Sequence, residues 1–395
     1  MPRLTRREAL AGAAAANWMI VKPETAFGSQ ASSAVAFGVI GAGGRGRYVG
    51  AHMARDTRTR LTAICDIYPD RIDAAKTQMP GADKARVYKD YRELLAQPDI
   101  DAVLIATPVY LHPEHFEAAV KASKHIYCEK PAGADVAGVK RLLRAAEQAD
   151  KSKTIQFGFQ QRFSPEYLTA EQILREGKIG EMKLMTSYWV LGGTPPGPMK
   201  PNLSPEDEKI RMWGRWMETS GGPIVEQDCH GVDVLNWFAY SHPLRAVGTG
   251  GLRYPAGYGD WNSDHHNITY FYPNGIEGWL ISIKHTAGFR DVKEQLFGSK
   301  GMLEVARTYY KWHGPIPTSP LKNADDLADR SLIEKRESKR EITIDAVEAF
   351  FTSIIEKKPF SMAQAAADAT FTSILGRMAY EYRREVSWEE MMRSG

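Results

Sequence analysis

A short apolar run, Val35-Ala36-Phe37-Gly38-Val39-Ile40, breaks directly into Gly41-Ala42-Gly43-Gly44-Arg45-Gly46 and continues as a helix-like segment to about Arg55. A second run, Arg60-Leu61-Thr62-Ala63-Ile64-Cys65, ends on Asp66, twenty residues past the last glycine. Each part has a mechanical reason in a dinucleotide site. Gly41 permits the tight turn out of the strand, Gly43 lets backbone approach a pyrophosphate, and Gly46 lets helix and strand close on each other. Gly44 and Arg45 open the helix, whose free N–H groups face the phosphates. Asp66 is placed to accept from a ribose 2′-hydroxyl. An ordinary glycine-rich turn lacks this flanking strand, helix and acid. The Asp66 carboxylate repels the extra phosphate of NADP and favours NAD, while Arg45 and Arg47 supply loop charge that leaves NADP open.

The same rhythm continues. Helices are expected at Pro69 to Met79, Tyr91 to Ala96, Pro113 to Ala122 and Asp135 to Gln148. Between them lie strands at Ala102 to Ala106, His125 to Cys128 and Thr154 to Gly158. Nearly unbroken apolar strands alternating with helices predict an α/β, doubly wound parallel sheet of Rossmann type over residues 35–158. Beyond it the pattern changes to a helix from Pro165 to Glu176, a strand from Met182 to Val190, and a Pro/Gly/Lys-rich loop over 191–210. Gly221-Gly222-Pro223 introduces a helix to about Phe238, and several strand-like runs lie between Leu244 and His313, with Pro273-Asn274-Gly275 as a hairpin turn. A charged loop over 315–340 precedes two amphipathic helices, Ile344 to Glu356 and Gln364 to Tyr382. Residues 159–395 are therefore expected to form a mainly antiparallel α+β domain, and 395 residues suit two domains.

Hydrophobic residues make up 43% and charged residues 25% of the chain, the balance of a globular protein. Net charge is +3, with two of those units in the first 30 residues, so the near-neutral body gives no electrostatic ground for a nucleic-acid partner. No run approaches the roughly 18 apolar residues that span a bilayer, so no stable membrane anchor is expected. Thr5-Arg6-Arg7-Glu8-Ala9-Leu10 followed by the weakly apolar Ala11 to Val21 makes residues 1–34 read as a twin-arginine-type export signal and linker, placing the protein in the periplasm or otherwise outside the cytoplasm. A disordered basic tail is the alternative. Cys65, Cys128 and Cys229 make no disulfide framework and read as buried thiols.

Ligands of a doubly wound sheet sit outside the carboxyl ends of its strands. Thr107-Pro108 and Glu129-Lys130-Pro131 lie at such ends. A lysine there is costly to desolvate unless paired or used, and Lys130 is placed to hydrogen-bond a substrate hydroxyl. Glu226, His230 and Asp233 share one helical face at i, i+4 and i+7, so a carboxylate can meet an imidazole suited to general-base work. A lone helix histidine is more often structural. Asp264-His265-His266 and His112-Pro113-Glu114-His115 suggest metal, but neither run supplies converging ligands, and no metal is expected. Tyr188, Trp189, Trp213, Trp216, Tyr254, Tyr258 and Trp261 offer flat faces for a sugar, although core packing explains many of them equally.

These residues together resemble the glucose–fructose oxidoreductase/inositol dehydrogenase family, Gfo/Idh/MocA, over essentially residues 35–395. The marks are the Gly41 to Gly46 loop, Thr107-Pro108 with His112, Glu129-Lys130-Pro131, Gly221-Gly222 leading to His230-Gly231-Val232-Asp233, and the close Arg384 to Glu390, which resembles exported members. The resemblance implies a Rossmann domain plus an open-faced sheet domain used for oligomer contacts, as a homodimer or homotetramer. It implies that Lys130 and His230 act at the reacting carbinol, with Glu129 and His112 near the nicotinamide ribose. Arg162 matches a position lining the nicotinamide pocket, and Arg162, Tyr188 and Glu226 join Lys130 and His230 as substrate contacts. Where many members carry aspartate four residues before the histidine, this chain has Glu226.

An exported member must carry its NAD in, tightly held, and recycle it in place. Two outcomes fit: oxidation of a sugar, glycoside or polyol coupled to a reduction, or redox-neutral glycoside cleavage through transient oxidation of a ring hydroxyl. A non-catalytic carbohydrate-binding module is the third reading; the presence of both Lys130 and His230 argues against it.

Overall fold

Val35–Ile40 (β1) is buried along its whole length, which requires covering layers on both faces of its sheet. The computed structural model describes residues 34–192, 203–253, 259–286, 288–315 and 330–395. The expected export signal, Tyr254, Tyr258 and parts of the two expected long loops lie outside them.

The first sheet is built from β1, β2 (Thr59–Cys65), β3 (Arg86–Tyr88), β4 (Ala102–Ile105), β5 (His125–Cys128) and β6 (Ile155–Phe157). They run in the order β3-β2-β1-β4-β5-β6, every neighbouring pair parallel. That is the doubly wound order whose switch point lies between β1 and β4. The helices α1 (Gly44–Arg55), α2 (Pro69–Gln78), α3 (Tyr91–Leu95), α4 (His112–Lys121) and α5 (Val136–Glu147) connect the strands. The short, partly exposed β3 is an addition to the expected set.

The second sheet joins β7 (Met182–Val190), β8 (Arg245–Gly251), β9 (His265–Phe271), β10 (Glu277–Ile283), β11 (Asp291–Gly298), β12 (Met302–Ala306), β13 (Tyr309–His313), β14 (Leu332–Glu337) and β15 (Val386–Ser387). Their order is β14-β13-β12-β11-β7-β10-β9-β8-β15, antiparallel except for β7 beside β10. Around it lie α6 (Pro165–Arg175), α7 (Pro205–Arg211), α8 (Cys229–Ala239), α9 (Ile342–Ile355), α10 (Ala363–Tyr382) and α11 (Trp388–Arg393).

Three expectations change. Part of the expected 315–340 loop is strand: β14 is exposed at all six positions, so no apolar alternation announced it. The helix after Pro223 is not regular, because Ile224–Asp228 is a π-helical turn leading into α8. The chain also revisits the nucleotide-binding layer of residues 35–158 near its end. Helix α9 returns to it, setting Phe351 5.9 Å from Phe37 and Phe350 5.7 Å from Tyr127. The expected amphipathic C-terminal helix, α10, is buried on most sides, packing against α5, α8 and β8. Residues 35–395 thus share one compact unit.

Candidate active site

The glycine loop is closed on one side and open on the other. A Cβ on Gly46 would lie 1.9 Å from the Gly41 carbonyl oxygen, and one on Gly41, at φ +92°, would lie 2.7 Å from Ala106 backbone. Gly43 and Gly44 face open space. They border a cavity of about 650 Å³ together with Gly41, Asp66, Thr107 and Pro108. The amino end of α1, capped by no side chain, opens beside it. A free helix terminus, a loop without side chains and an acidic strand tip fit the pyrophosphate and ribose of a dinucleotide.

Asp66 accepts from the backbone N–H of Ala42 at 2.8 Å and of Tyr68 at 3.0 Å. Burial raises its carboxyl above the usual value despite those two bonds. The loop arginines are committed elsewhere. Arg45 pairs with Glu129 at 2.9 Å, while Arg47 donates to the Ala42 carbonyl at 2.7 Å and to Gln78 at 2.8 Å. Neither is spent on Asp66. Glu129 itself is nearly inaccessible, and its carboxylate lies 2.6 Å from where a Cβ on Gly158 would be, so a side chain there would push the carboxylate out of place. No motif in the sequence marks Gly158.

A segment of the second domain fastens over this cavity. Tyr68 donates to Asp207 at 2.6 Å, Arg211 forks Asp70 at 2.9 and 3.1 Å, and the Arg211 guanidinium lies 3.7 Å from the Tyr68 ring centre. Arg211 and Trp213 border the cavity. Part of the expected 191–210 loop is thus the helix α7, which binds back onto the nucleotide layer.

His112 is buried, with Nδ1 2.7 Å from the Pro131 carbonyl and Nε2 2.9 Å from the Thr107 carbonyl. It ties the ends of β4 and β5 together rather than facing the cavity. Burial lowers its pKa even though both carbonyls favour the charged ring. A neutral ring donates to only one of them.

Lys130 donates to the backbone carbonyl of Glu226 and lies 3.4 Å from its Oε1. Burial opposes the ammonium most strongly of any single effect, but Glu226, Cys229 and Glu129 together outweigh it and the pKa is raised. Glu226 therefore partners the lysine rather than His230. The extra residue of the π-turn breaks the i, i+4 alignment on which a Glu226–His230 pair depends. His230 is instead held by rings: Trp189 stacks on it at 5.3 Å and 15°, and Phe159 meets it edge-on at 5.9 Å. Its Nδ1 is buried without a partner. Burial, then the charges of Lys130, Arg307 and Arg45, hold its pKa well below the usual histidine value. Gly231 makes the approach possible, since a Cβ there would lie 2.0 Å from Ser187 Oγ on β7.

Two expected substrate contacts are placed otherwise. Successive strand residues face opposite ways, so Trp189 meets His230 while Tyr188 turns to the outer face beside Lys293, 5.4 Å away. Arg162 forks Asp233 at 2.8 Å through each of two nitrogens and lies over Trp237 at 5.1 Å. Asp233 is thus its anchor rather than a partner of His230. Asp228, which no motif marks, is buried between Lys284 and His266, the latter at 2.5 Å. Among the described residues no cluster could hold a metal ion, and Cys65, Cys128 and Cys229 are free, buried thiols.

The model of the oxidoreductase family with an NAD-binding Rossmann fold matches residues 35–158, and that of the GFO/IDH/MocA C-terminal domain matches residues 167–304. The chain belongs to the Gfo/Idh/MocA family. It is an NAD-dependent oxidoreductase. Myo-inositol 2-dehydrogenase of Thermotoga maritima, another protein of similar sequence, is 25% identical over 90% of this chain and 99% of its own. Among solved structures, scyllo-inositol dehydrogenase of Lactobacillus casei with bound NAD(H) and scyllo-inositol has a TM-score of 0.70 at 21% identity, over 90% of this chain and 99% of that one. Levoglucosan dehydrogenase in complex with NADH and levoglucosan has a TM-score of 0.75 at 18% identity, over 89% and 99%. Both share the Gfo/Idh/MocA architecture of a parallel nucleotide-binding sheet followed by a mixed, mainly antiparallel one.

Proposed function

We propose that the protein oxidises a CH–OH group of a sugar, glycoside or polyol, with NAD tightly held and recycled. The observation that carries this reading is the meeting of Lys130, from the tip of β5, with the turn that delivers His230. Bound NAD supplies the hydride acceptor, and the Gly41–Gly46 loop and Asp66 would hold it. Lys130, kept charged by Glu226, donates a hydrogen bond to the hydroxyl oxygen and orients it. His230, neutral at ordinary pH, takes the hydroxyl proton. Trp189 and Phe159 fix its ring and exclude water.

The substrates named for the relatives support a polyhydroxylated ring. The fastening of Tyr68, Asp70 and Arg211 over the nucleotide cavity supports slow cofactor exchange. We further assign the leader around Arg6-Arg7 to export, and the outer sheet face, where Trp279 and Ile283 are exposed, to self-association. Adding sugars and polyols to NAD-loaded protein while following nicotinamide absorbance tests the reaction. No absorbance change with any of them would refute it. Cell fractionation and light scattering test export and assembly.

A further inference from the structure

We propose that the substrate is a glycoside of at least two sugar units, whose non-reacting unit occupies a second cavity beyond the catalytic turn. This rests on the assignment of Lys130 and His230 to the reacting ring and extends it outward.

The cavity holds about 510 Å³, within the roughly 300–1,000 Å³ of small-molecule sites. Its lining includes Leu191, Trp213, Gln227, Trp261, Lys284 and His285. Three connections lead to it from the catalytic residues. Gln227 follows Glu226 on the π-turn. Leu191 lies two residues beyond Trp189, the residue stacked on His230, and its N–H continues the strand pairing to the Ile283 carbonyl at 2.9 Å. That is one strand repeat along the same face, about 7 Å. Lys284 is paired with Asp228, two residues before His230. A monocyclic polyol reacting at Lys130 needs nothing so far out.

The wall chemistry suits a hydroxyl-rich, uncharged ring. Trp213 presents half-buried indole surface, the kind of face on which the apolar side of a pyranose rests, and the buried Trp261 completes the apolar lining. Trp261 is fixed, its Nε1 donating to Ser220 Oγ at 3.2 Å. Gln227 Oε1 is a buried acceptor without a partner, matched to a sugar hydroxyl. Arg211 and Lys284 are already paired with Asp70 and Asp228, so they offer donors without uncompensated charge. A phosphate or carboxylate would have to compete with those carboxylates.

The test uses the full chain loaded with NAD, with phenazine methosulfate to reoxidise the bound nicotinamide, given myo-inositol and glucose on one side and trehalose, cellobiose, maltose and lactose on the other. At least one disaccharide should exceed the better single-ring compound in kcat/KM by about tenfold or more, the scale of a ring contact plus a hydrogen bond. Gln227→Leu, which removes the orphaned acceptor at similar size, should erase most of that preference through KM. Trp261→Phe should reduce it independently, which covers the case of one variant folding poorly. The proposal is overturned if a single-ring compound matches every disaccharide, or if neither substitution moves the ratio. Absence of turnover on all six, with NAD still bound, overturns the underlying Lys130–His230 reading, a different and recognisable result.

Discussion

The Lys130 ammonium meets Glu226 twice, at its backbone carbonyl and, at 3.4 Å, at its own carboxylate. A strand tip of one sheet is thereby joined to the π-turn packed against the other. Lys130→Met should lower kcat by about 10²–10⁴-fold, the range of a positioned proton-handling group, while NAD stays bound. Glu226→Gln removes the strongest of the charges that hold the ammonium against burial, so the Lys130 pKa falls. The basic limb of the kcat/KM profile should then move to lower pH, and a limb that stays put would remove Glu226 from this role.

His230 is neutral because burial and three cations disfavour its charge. Its folded pKa lies below the ordinary value near 6.5. The oxidation rate should therefore hold level as pH falls through that value and decline only well beneath it. Arg307 is one of the cations responsible. Arg307→Gln should raise the His230 pKa and bring the acid limb upward, as a pH series on both proteins would show.

Gly43 and Gly46 separate ligand from fold. Alanine at Gly46 would place its Cβ 1.9 Å from the Gly41 oxygen and should prevent a stable nucleotide layer. Alanine at Gly43 meets nothing within 4 Å in the protein, so Gly43→Ala should melt like the parent when stripped of cofactor. It should nonetheless weaken NAD at least about tenfold, because the methyl stands where backbone approaches the pyrophosphate. Calorimetric titration and thermal melts distinguish the two.

Asp228 lies between His266 and Lys284 with all three side chains buried. Asp228→Asn leaves a lysine charge uncompensated in the interior and should cost about 3–5 kcal/mol in denaturant unfolding. Adding Lys284→Met should restore much of it. The single variant should also lower kcat, since Asp228 anchors the turn carrying Glu226.

The nucleotide site was legible because its constraints are local: turn, close approach and acidic tip all fall between Val35 and Asp66. Lys130 was legible for the same reason, at the end of an apolar strand. Helical spacing assigns Glu226 to the wrong partner because a single added residue in Ile224–Asp228 turns its side chain, and no residue type there announces a π-turn. Arg162 and Asp233 lie 71 positions apart, so only folding shows that each is the other's partner. Tyr188 is the expected substrate contact, and only the strand's orientation shows that its neighbour Trp189 is the one facing His230. The return of α9 to the first sheet was hidden similarly, since apolar spacing tells that a face is covered but not by what.

Arg211 and Trp213 border both cavities. The two chambers share a wall, and its hinge pin is the grip of Arg211 on Asp70 and Tyr68. On the proposed two-unit substrate, a sugar lodged against Trp213 would brace that wall from behind, so the guest in the outer chamber would itself help to keep the dinucleotide in its seat.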